Sequence, residues 1–551
     1  MSAARPHLLG RARAYGRFLA GLPRFLNTPI SFDAACATIR GRLDARHDHF
    51  LHMMRNGVYG NPHSPYLPLL RASGCELGDM ATHLAREPLE TLLARLAAEG
   101  VRVSLDEYKG RVPIVRHGLE YPVAASDFDN PVLRRGVDLT TGGSTGRPTR
   151  TLIDLDFLED RACYEHVMFR MLDLGDVPLA LWYPKVPSSI GLSNSLRYAK
   201  AGKAVDRWFD MTLDRRAMGP WHGWALALIV CASQVSRTPL RRPVAAPLGT
   251  PGRVIDWITA SLRRHGRCAV QSSVSGVLRL TRAAAEQGAD LAGVQFITGS
   301  EPLTPARHAD IVSSGARVYQ RYFAVDLGSI AGGCGADDSG DDLHLFSDTV
   351  TAVSHEPAAD DGSVPLSLTS ILGRGPKVVL NVDVGDRAVM REGRCGCLYG
   401  DLGFHLYLSL IRSGARSTAE GVALPHTELI RISDQVLPAR LHASPLDFQW
   451  VEDDDPADGG LTRLWLRIDP GVGDIDEAGV RAAILDALGR RSDVFRFYAA
   501  MFATADSLRI IRERPRVTAA GKTPPLMRGR DAGTSATREP RATTRDTSRR
   551  C

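Results

Sequence analysis

Residues 85–99, AREPLETLLARLAAE, place Leu89, Leu92, Leu93 and Leu96 at i, i+3, i+4 and i+7. That spacing lines one face of a helix with leucine, and Pro88 falls in the first turn, where a helix tolerates proline. The stretch 156–175, DFLEDRACYEHVMFRMLDLG, predicts a second helix that stops at Gly175. A third is predicted in 272–288, SSVSGVLRLTRAAAEQG, with serine to cap it and glycine to end it. Residues 293–305, GVQFITGSEPLTP, predict a short strand running into a loop, and 377–390, KVVLNVDVGDRAVM, a strand, a turn at Gly385-Asp386 and another strand. Helices and strands alternate through this body, so the fold class is α/β.

The pattern changes after about residue 420. In 461–470, LTRLWLRIDP, Leu464, Leu466 and Ile468 share one strand face. In 476–491, DEAGVRAAILDALGRR, Val480, Ile484 and Leu488 share one helix face. A strand–helix unit of this size predicts a small α+β lid. The longest apolar run, WALALIVCA at 224–232, is too short to span a bilayer and is expected to be buried core. The N-terminal 26 residues are basic, but Gly and Arg interrupt them throughout, so they lack the apolar run of a signal peptide.

Length and charge narrow the picture further. A chain of 551 residues is too long for one ordinary core. Net charge is +6, but residues 1–24 carry +5 and residues 530–551 carry +3, so the body stands at about −2. A nucleic-acid binder shows its basic face on the folded part, and this chain does not. Residues from about 530 on are rich in Thr, Ser and Arg with almost no apolar side chains, which predicts a disordered basic tail. Nine scattered cysteines without framework spacing suit a reducing cytoplasm, and no membrane span is expected.

Four short segments carry candidate chemistry. The first is TGGSTGRPT, 141–149. It is neither a Walker A loop nor a dinucleotide fingerprint. Its glycines still allow close backbone approach, and the hydroxyls of Thr141, Ser144 and Thr145 add donors, so the loop suits phosphate oxygens. The second is GSEPLTP, 299–305, at a strand end; the third is NVDVGDRA, 381–388; the fourth is RPRVTAAGKTPPL, 514–526. Singly, each also fits an ordinary surface turn, a strand-to-helix loop, a Gly-Asp turn or a solvated lysine.

Taken in order and spacing, these segments resemble the acyl-adenylate-forming (ANL) superfamily, in particular its phenylacetate–CoA ligase-like and coenzyme F390 synthetase-like branch, over about residues 40–528. The resemblance implies a large multi-sheet N-terminal domain, 1–415, that binds ATP and a carboxylic acid, and a mobile C-terminal lid, 416–529. It implies attack of the carboxylate on the α-phosphorus of ATP, giving acyl-AMP and pyrophosphate, then acyl transfer to CoA or another thiol as co-substrate. Thr141, Gly142, Gly143, Ser144, Thr145 and Gly146 would grip the ATP phosphates. Gly299, Ser300, Glu301, Pro302 and Tyr322 would hold adenine, and Asp386 with Arg412 the ribose. Lys522 would bridge the carboxylate and the α-phosphate.

The chain departs from the family pattern in three places. Val382, Asp383 and Val384 stand where Tyr-Arg-Thr is usual. Residues 322–326 read Tyr-Phe-Ala-Val-Asp where the family has Tyr-Gly-x-Thr-Glu, which makes Asp326 the expected Mg²⁺ ligand in place of glutamate. In 408–425, LSLIRSGARSTAEGVALP, no hinge aspartate can be placed, which leaves a carrier-protein thiol or an amine open beside CoA. A binding protein that has lost catalysis is the reading from another class.

Other features are set aside at this level. Cys395-Gly-Cys397 invites a zinc reading, but tetrahedral zinc takes four ligands and no second pair stands nearby, so free thiols are expected. DDSGDD (337–342) and EDDDPADGG (452–460) lack EF-hand spacing and are expected to be solvated loops, His344 and His405 to be packing or surface histidines, and 181–200 to be ordinary packing.

Overall fold

A computed structural model describes residues 4–528, apart from 117, 134–135, 141–149, 186–189, 212–219, 248–249, 302, 336–339, 414–415, 420–421, 456–460, 492–494, 496–498, 500–501, 504–507 and 519–520. The phosphate-loop candidates Thr141, Gly142, Gly143, Ser144, Thr145 and Gly146, the adenine candidate Pro302 and the expected basic tail therefore lie outside the described residues.

The fold is mixed α/β, with a large sheet and a smaller C-terminal one. Among the described residues the large sheet has 12 strands. Half of it is parallel: Pro243–Ala245, Arg207–Asp210, Leu179–Trp182, Cys268–Ser273, Val294–Gly299 and Arg317–Ala324 lie side by side in that order. The strands Leu179–Trp182, Cys268–Ser273 and Val294–Gly299 are buried at every position, because helices cover both faces. From Arg317–Ala324 onward the sheet continues antiparallel through Gly328–Gly332, Leu343–Leu345, Leu406–Ser413, Val382–Glu392, Val364–Ser370 and Val350–Val353.

The predicted helices form where the periodicity put them. Leu89–Ala98 buries Leu89, Leu92, Leu93 and Leu96 against the antiparallel half of the sheet. Leu155–Met171 starts on Asp154, whose carboxylate accepts the Asp156 amide, and Val274–Glu286 starts on Ser273, whose hydroxyl accepts the Gly276 amide. Ala4–Asn27 packs Phe18, Leu22, Phe25 and Leu26, an i, i+4, i+7, i+8 stripe, into the same core as Leu226, Ile229 and Val230. Among the described residues no helix is long and apolar enough to cross a membrane.

The smaller sheet orders its strands as Leu508–Ile511, Leu461–Ile468, Phe448–Asp455 and Leu526–Arg528. Leu464, Leu466 and Ile468 meet Val480, Ile484 and Leu488 of the helix Glu477–Gly489 in one core around Trp450.

Four expectations are corrected. Gly385 and Asp386 do not make a turn between two strands: they bulge one continuous strand, Val382–Glu392. There the partner strand pairs Ser367 with Asp383 and Pro365 with Arg387, so an extra length of chain is accommodated while Gly385 takes φ 75°. Residues 377–381, expected to start a strand, stay outside it: Lys377 makes an isolated bridge with Asp129, and the Val379 carbonyl accepts the Ser370 amide. The run 224–232 is not fully buried. It lies in the helix Pro220–Ser233, which turns Trp224 and Leu228 outward. The acidic stretches are not simply solvated: 452–455 belongs to a strand, and Asp341 is buried, accepting the Leu410 amide and the Arg412 guanidinium.

Candidate functional site

In an open α/β sheet the crevice beyond the carboxyl ends of parallel strands is where backbone and side chains fan out to meet a ligand. Here those ends deliver Tyr183, Gln271, Gly299, Ser300, Glu301 and Tyr322 in turn. Gly299 is required by crowding. A Cβ built on it would lie 2.9 Å from Phe323 Cε1 and 3.1 Å from the Arg321 carbonyl oxygen. The departure at Phe323 is thus accommodated by the missing side chain at Gly299. Gly299→Ala is expected to cost about 1–3 kcal/mol through overpacking, read by thermal unfolding. Adding Phe323→Leu should restore only part of the loss, because the Arg321 carbonyl cannot move aside.

Ser300 follows with φ 71°, a left-handed conformation rare for serine, and its buried Oγ has no hydrogen-bond partner. Glu301 is buried and lies in the field of two cations, Lys522 and Arg279. Lys522 is brought here by a tight turn. The Gly521 amide donates to the Thr518 carbonyl at 2.8 Å, the Thr518 amide to the Lys522 carbonyl at 2.8 Å and the Lys522 amide to Thr518 Oγ1 at 3.1 Å. The Gln449 amide group donates to the carbonyls of Arg516 and Pro524, and Arg279 donates to Thr523 Oγ1 at 2.9 Å. The last of these ties the turn to the helix Val274–Glu286 of the large sheet's flank. Burial pushes the Lys522 ammonium down from its ordinary pKa, and the Glu301 carboxylate opposes that shift.

Tyr322 and Asp386 come together from strands that are far apart in sequence. The Tyr322 hydroxyl donates to Asp386 Oδ2 at 2.8 Å. A register shift in the pairing of Arg317–Ala324 with Gly328–Gly332 falls between Tyr322 and Phe323, which re-aims the two rings. Burial lifts the Asp386 carboxyl to about 6; the Tyr322 hydrogen bond opposes the rise and the Asp383 charge adds to it. Arg412 pairs its guanidinium with Asp341 at 3.0 Å, although its strand position lies opposite Arg387, next to Asp386.

Asp326 sits in the turn between the strands Arg317–Ala324 and Gly328–Gly332. Its Oδ2 accepts from Tyr108 Oη at 3.2 Å and lies 3.5 Å from Lys109 Nζ, while Oδ1 is buried without a partner. One open carboxylate oxygen fits a Mg²⁺ ion that takes its other ligands from water and phosphate, which is the usual way this ion is held.

A second group of buried polar atoms lies behind these loops. Arg321 holds Glu165 through two bonds of 2.9 and 2.8 Å, and Arg197 reaches the same carboxylate at 3.3 Å. Around them Tyr198 Oη, Asn194 Nδ2 and Arg321 Nη2 lack hydrogen-bond partners, and the Tyr183 hydroxyl lies against the Gln271 amide. Tyr183 lies in the field of Arg321, Glu301 and Arg197. So many orphaned atoms in one region signal a bound molecule or water that would satisfy them. Residues 181–200, expected to be plain packing, thus supply part of this polar wall. A separate cavity of about 980 Å³, lined by Thr28, Arg42, His49, Asp160, Lys200 and Arg374 among others, contains none of the predicted site residues.

Cys395 and Cys397 are free thiols, as expected, but further ligands do stand nearby. Cys334, His344, Cys395 and Cys397 place their ligand atoms all within 4.8 Å of one another. The sequence hides this cluster, because Cys334 and His344 lie far upstream of the Cys395–Cys397 pair and are unremarkable where they stand.

No family model matches the chain, and no curated protein matches it. Solved structures do. A 2-hydroxyisobutyryl-CoA ligase in complex with 2-HIB-AMP and CoA aligns with TM-score 0.42 and 16% identity over 89% of this chain and 90% of that one. An anthranilate CoA ligase in complex with anthranoyl-AMP aligns with TM-score 0.41 and 13% identity, over 71% of this chain and 65% of that one. An o-succinylbenzoate coenzyme A synthetase from Bacillus subtilis, with ATP and magnesium, aligns with TM-score 0.41 and 12% identity, over 70% and 68%. At TM-scores and identities this low, the likeness leaves the activity to be argued from the residues.

Proposed function

We propose that the protein is an ATP-dependent acid ligase of the acyl-adenylate-forming superfamily, in its phenylacetate–CoA ligase-like branch. It activates an aromatic or other small organic acid to acyl-AMP and passes the acyl group to CoA or another thiol. The observation that carries this reading is a pair of arrangements at the ends of two neighbouring parallel strands, Lys522 in the field of Glu301 after Val294–Gly299 and Tyr322 bonded to Asp386 in Arg317–Ala324. Together they offer a cation for developing phosphate charge, a carboxylate for a diol and an aromatic ring.

In this reading a carboxylate oxygen of the acid attacks the α-phosphorus of ATP. The bond from that phosphorus to the bridging oxygen breaks, and pyrophosphate leaves with the electron pair. Lys522 neutralises charge as it shifts onto the α-phosphate oxygens, an effect that is largest in a site closed to water. Asp386 accepts hydrogen bonds from the ribose hydroxyls, and residues 141–146 grip the leaving phosphates. Asp326 would hold Mg²⁺ through Oδ1, and the ion would supply charge neutralisation to the phosphates. Residues 416–529 act as a lid that delivers Lys522, and the protein works in the cytoplasm.

The orphaned polar atoms of Asn194, Tyr198 and Arg321 favour an acid that carries hydrogen-bonding substituents, because a bare hydrocarbon would leave them unpaired. The test is acid-dependent pyrophosphate release with ATP and Mg²⁺ over a panel of aryl and aliphatic acids, hydroxylamine serving as trap. Hydroxylated or aminated acids are expected to outrun their unsubstituted parents by about 10-fold or more. If no acid releases pyrophosphate while ATP still binds, the chain is a binding protein. The lack of a hinge aspartate in 408–425 favours an amine as the second candidate acceptor. Thioester formation on adding CoA would exclude it.

A further inference from the structure

We propose that Cys334, His344, Cys395 and Cys397 form a structural zinc site, separate from the nucleotide site and independent of its chemistry. The sheet builds it. Gly332 pairs with His344, His344 with Tyr407 and Tyr407 with Arg391, so one row crosses four strands. Cys334 stands two residues beyond Gly332, and Cys395 four residues beyond Arg391. The chain ends that leave the sheet at this row therefore converge on the imidazole.

The distances suit a tetrahedral ion. Zinc–sulfur bonds of about 2.3 Å at the tetrahedral angle set neighbouring sulfurs about 3.7 Å apart. Cys334 Sγ and Cys395 Sγ are 3.7 Å apart, and Cys397 Sγ lies 3.2 Å from His344 Nε2. The same sulfur pair is far too long for a disulfide, whose bond is about 2.05 Å. The surroundings orient the ligands as a metal requires. His344 is fully buried, and its Nδ1 donates to the Phe404 carbonyl at 2.8 Å, which turns Nε2 toward the cysteines. The Gly400 amide donates to Cys397 Sγ at 3.4 Å. Cys334, Cys397 and Leu398 pack on an apolar cluster of Tyr164, Phe346, Tyr399 and Phe404, which shields one side of the site.

Three thiolates and one imidazole select zinc over oxygen-seeking ions, and four protein ligands leave no open position for a substrate. On binding, the coordinating thiols lose their protons to solvent while Nε2 gives its lone pair. The ion would clamp 393–403 to the strands Gly328–Gly332 and Leu343–Leu345. It would thereby fix the end of strand Val382–Glu392 opposite to Asp386.

The test uses the full chain purified without chelator. Mass spectrometry of metals should find about one zinc per chain. Cys395→Ser and Cys397→Ser should each lose most of it, while Cys75→Ser keeps it. Because those variants could misfold, the wild-type chain is also stripped by chelator and titrated with Co²⁺. Tetrahedral thiolate ligation then gives intense visible d–d bands and a thiolate-to-cobalt charge-transfer band, and added Zn²⁺ bleaches both. Zinc should also slow alkylation of Cys334, Cys395 and Cys397 and leave Cys75 unaffected, and its removal should lower Tm reversibly. A metal-free chain with no tetrahedral cobalt spectrum overturns the proposal. So does a Cys334–Cys395 disulfide found by peptide mapping, or stoichiometric iron or copper at the site.

Discussion

Lys522→Ala is expected to lower acid-dependent pyrophosphate release by about 100-fold or more, equivalent to roughly 3 kcal/mol of lost transition-state stabilisation. The fold should survive. The turn that carries Lys522 is built from backbone bonds among Thr518, Gly521 and Lys522 and is anchored by Gln449 and Arg279 side chains, none of which involves the ammonium. Thermal unfolding of the variant should therefore shift only modestly, since what it loses is the charge facing Glu301 and not the bonds that hold the turn. Two further measurements separate lost catalysis from general damage. A chemically prepared acyl-adenylate bypasses the first step, so the variant should still transfer its acyl group to the acceptor at close to the normal rate. Lys522→Arg should recover only part of the activity, because a planar fork cannot replace a compact point charge. An alanine variant that adenylates normally would sink the proposed role of this loop. Glu301→Gln should act through the same pair. It removes the carboxylate that opposes the burial shift on Lys522, so the ammonium becomes easier to deprotonate and the rate falls as pH rises above a lower onset than in the parent.

Much of this arrangement could be read from the chain because its signals are local. Leu89, Leu92, Leu93 and Leu96 announce their helix at fixed spacing, and Val480, Ile484 and Leu488 announce theirs. The apolar run before Gly299-Ser300-Glu301 predicts a strand ending there, and the structure ends the strand Val294–Gly299 at that point. What stayed hidden depends on pairing between distant strands. The sequence suggests a turn at Gly385-Asp386 because that dipeptide favours one, but the neighbouring strand Val364–Ser370 holds it as a bulge. Cys334 and His344 carry no local sign of a metal site, since only the row through Gly332, His344, Tyr407 and Arg391 gathers the four ligands. Arg321, Glu165 and Arg197 were missed for a related reason. Charged residues inside apolar patterns look like interruptions until a partner from another element is found, and here Glu165 comes from the helix Leu155–Met171.

The pH response of nucleotide binding is expected to follow Asp386. Its carboxyl is lifted to about 6, chiefly by burial. In its proposed role the ion accepts hydrogen bonds from a ribose diol; protonated, it loses most of that capacity. ATP affinity should therefore be flat above pH 7 and fall by up to about 10-fold for each pH unit below 6, as the proton competes with the nucleotide. Asp386→Asn should bind weakly at every pH and lose the dependence, whereas a parent whose affinity is unchanged between pH 5 and 8 would contradict the assignment. Tyr322→Phe provides the internal check. The Tyr322 hydrogen bond opposes the rise, so its removal should move the midpoint upward. The ring is kept, which separates this effect from any loss of stacking on adenine. Stability must move the other way. A carboxyl whose folded pKa lies above its unfolded value holds a proton that the unfolded chain releases, so folding gains as pH falls from 7 toward 4. Buried Asp348, lifted likewise to about 6, adds a gain of the same sign. Between pH 6 and 5 the protein should thus become more stable while binding ATP less well. A thermal-unfolding series run with and without nucleotide over that window would show the two curves converging, since the ligand's stabilisation shrinks as the site takes up its proton.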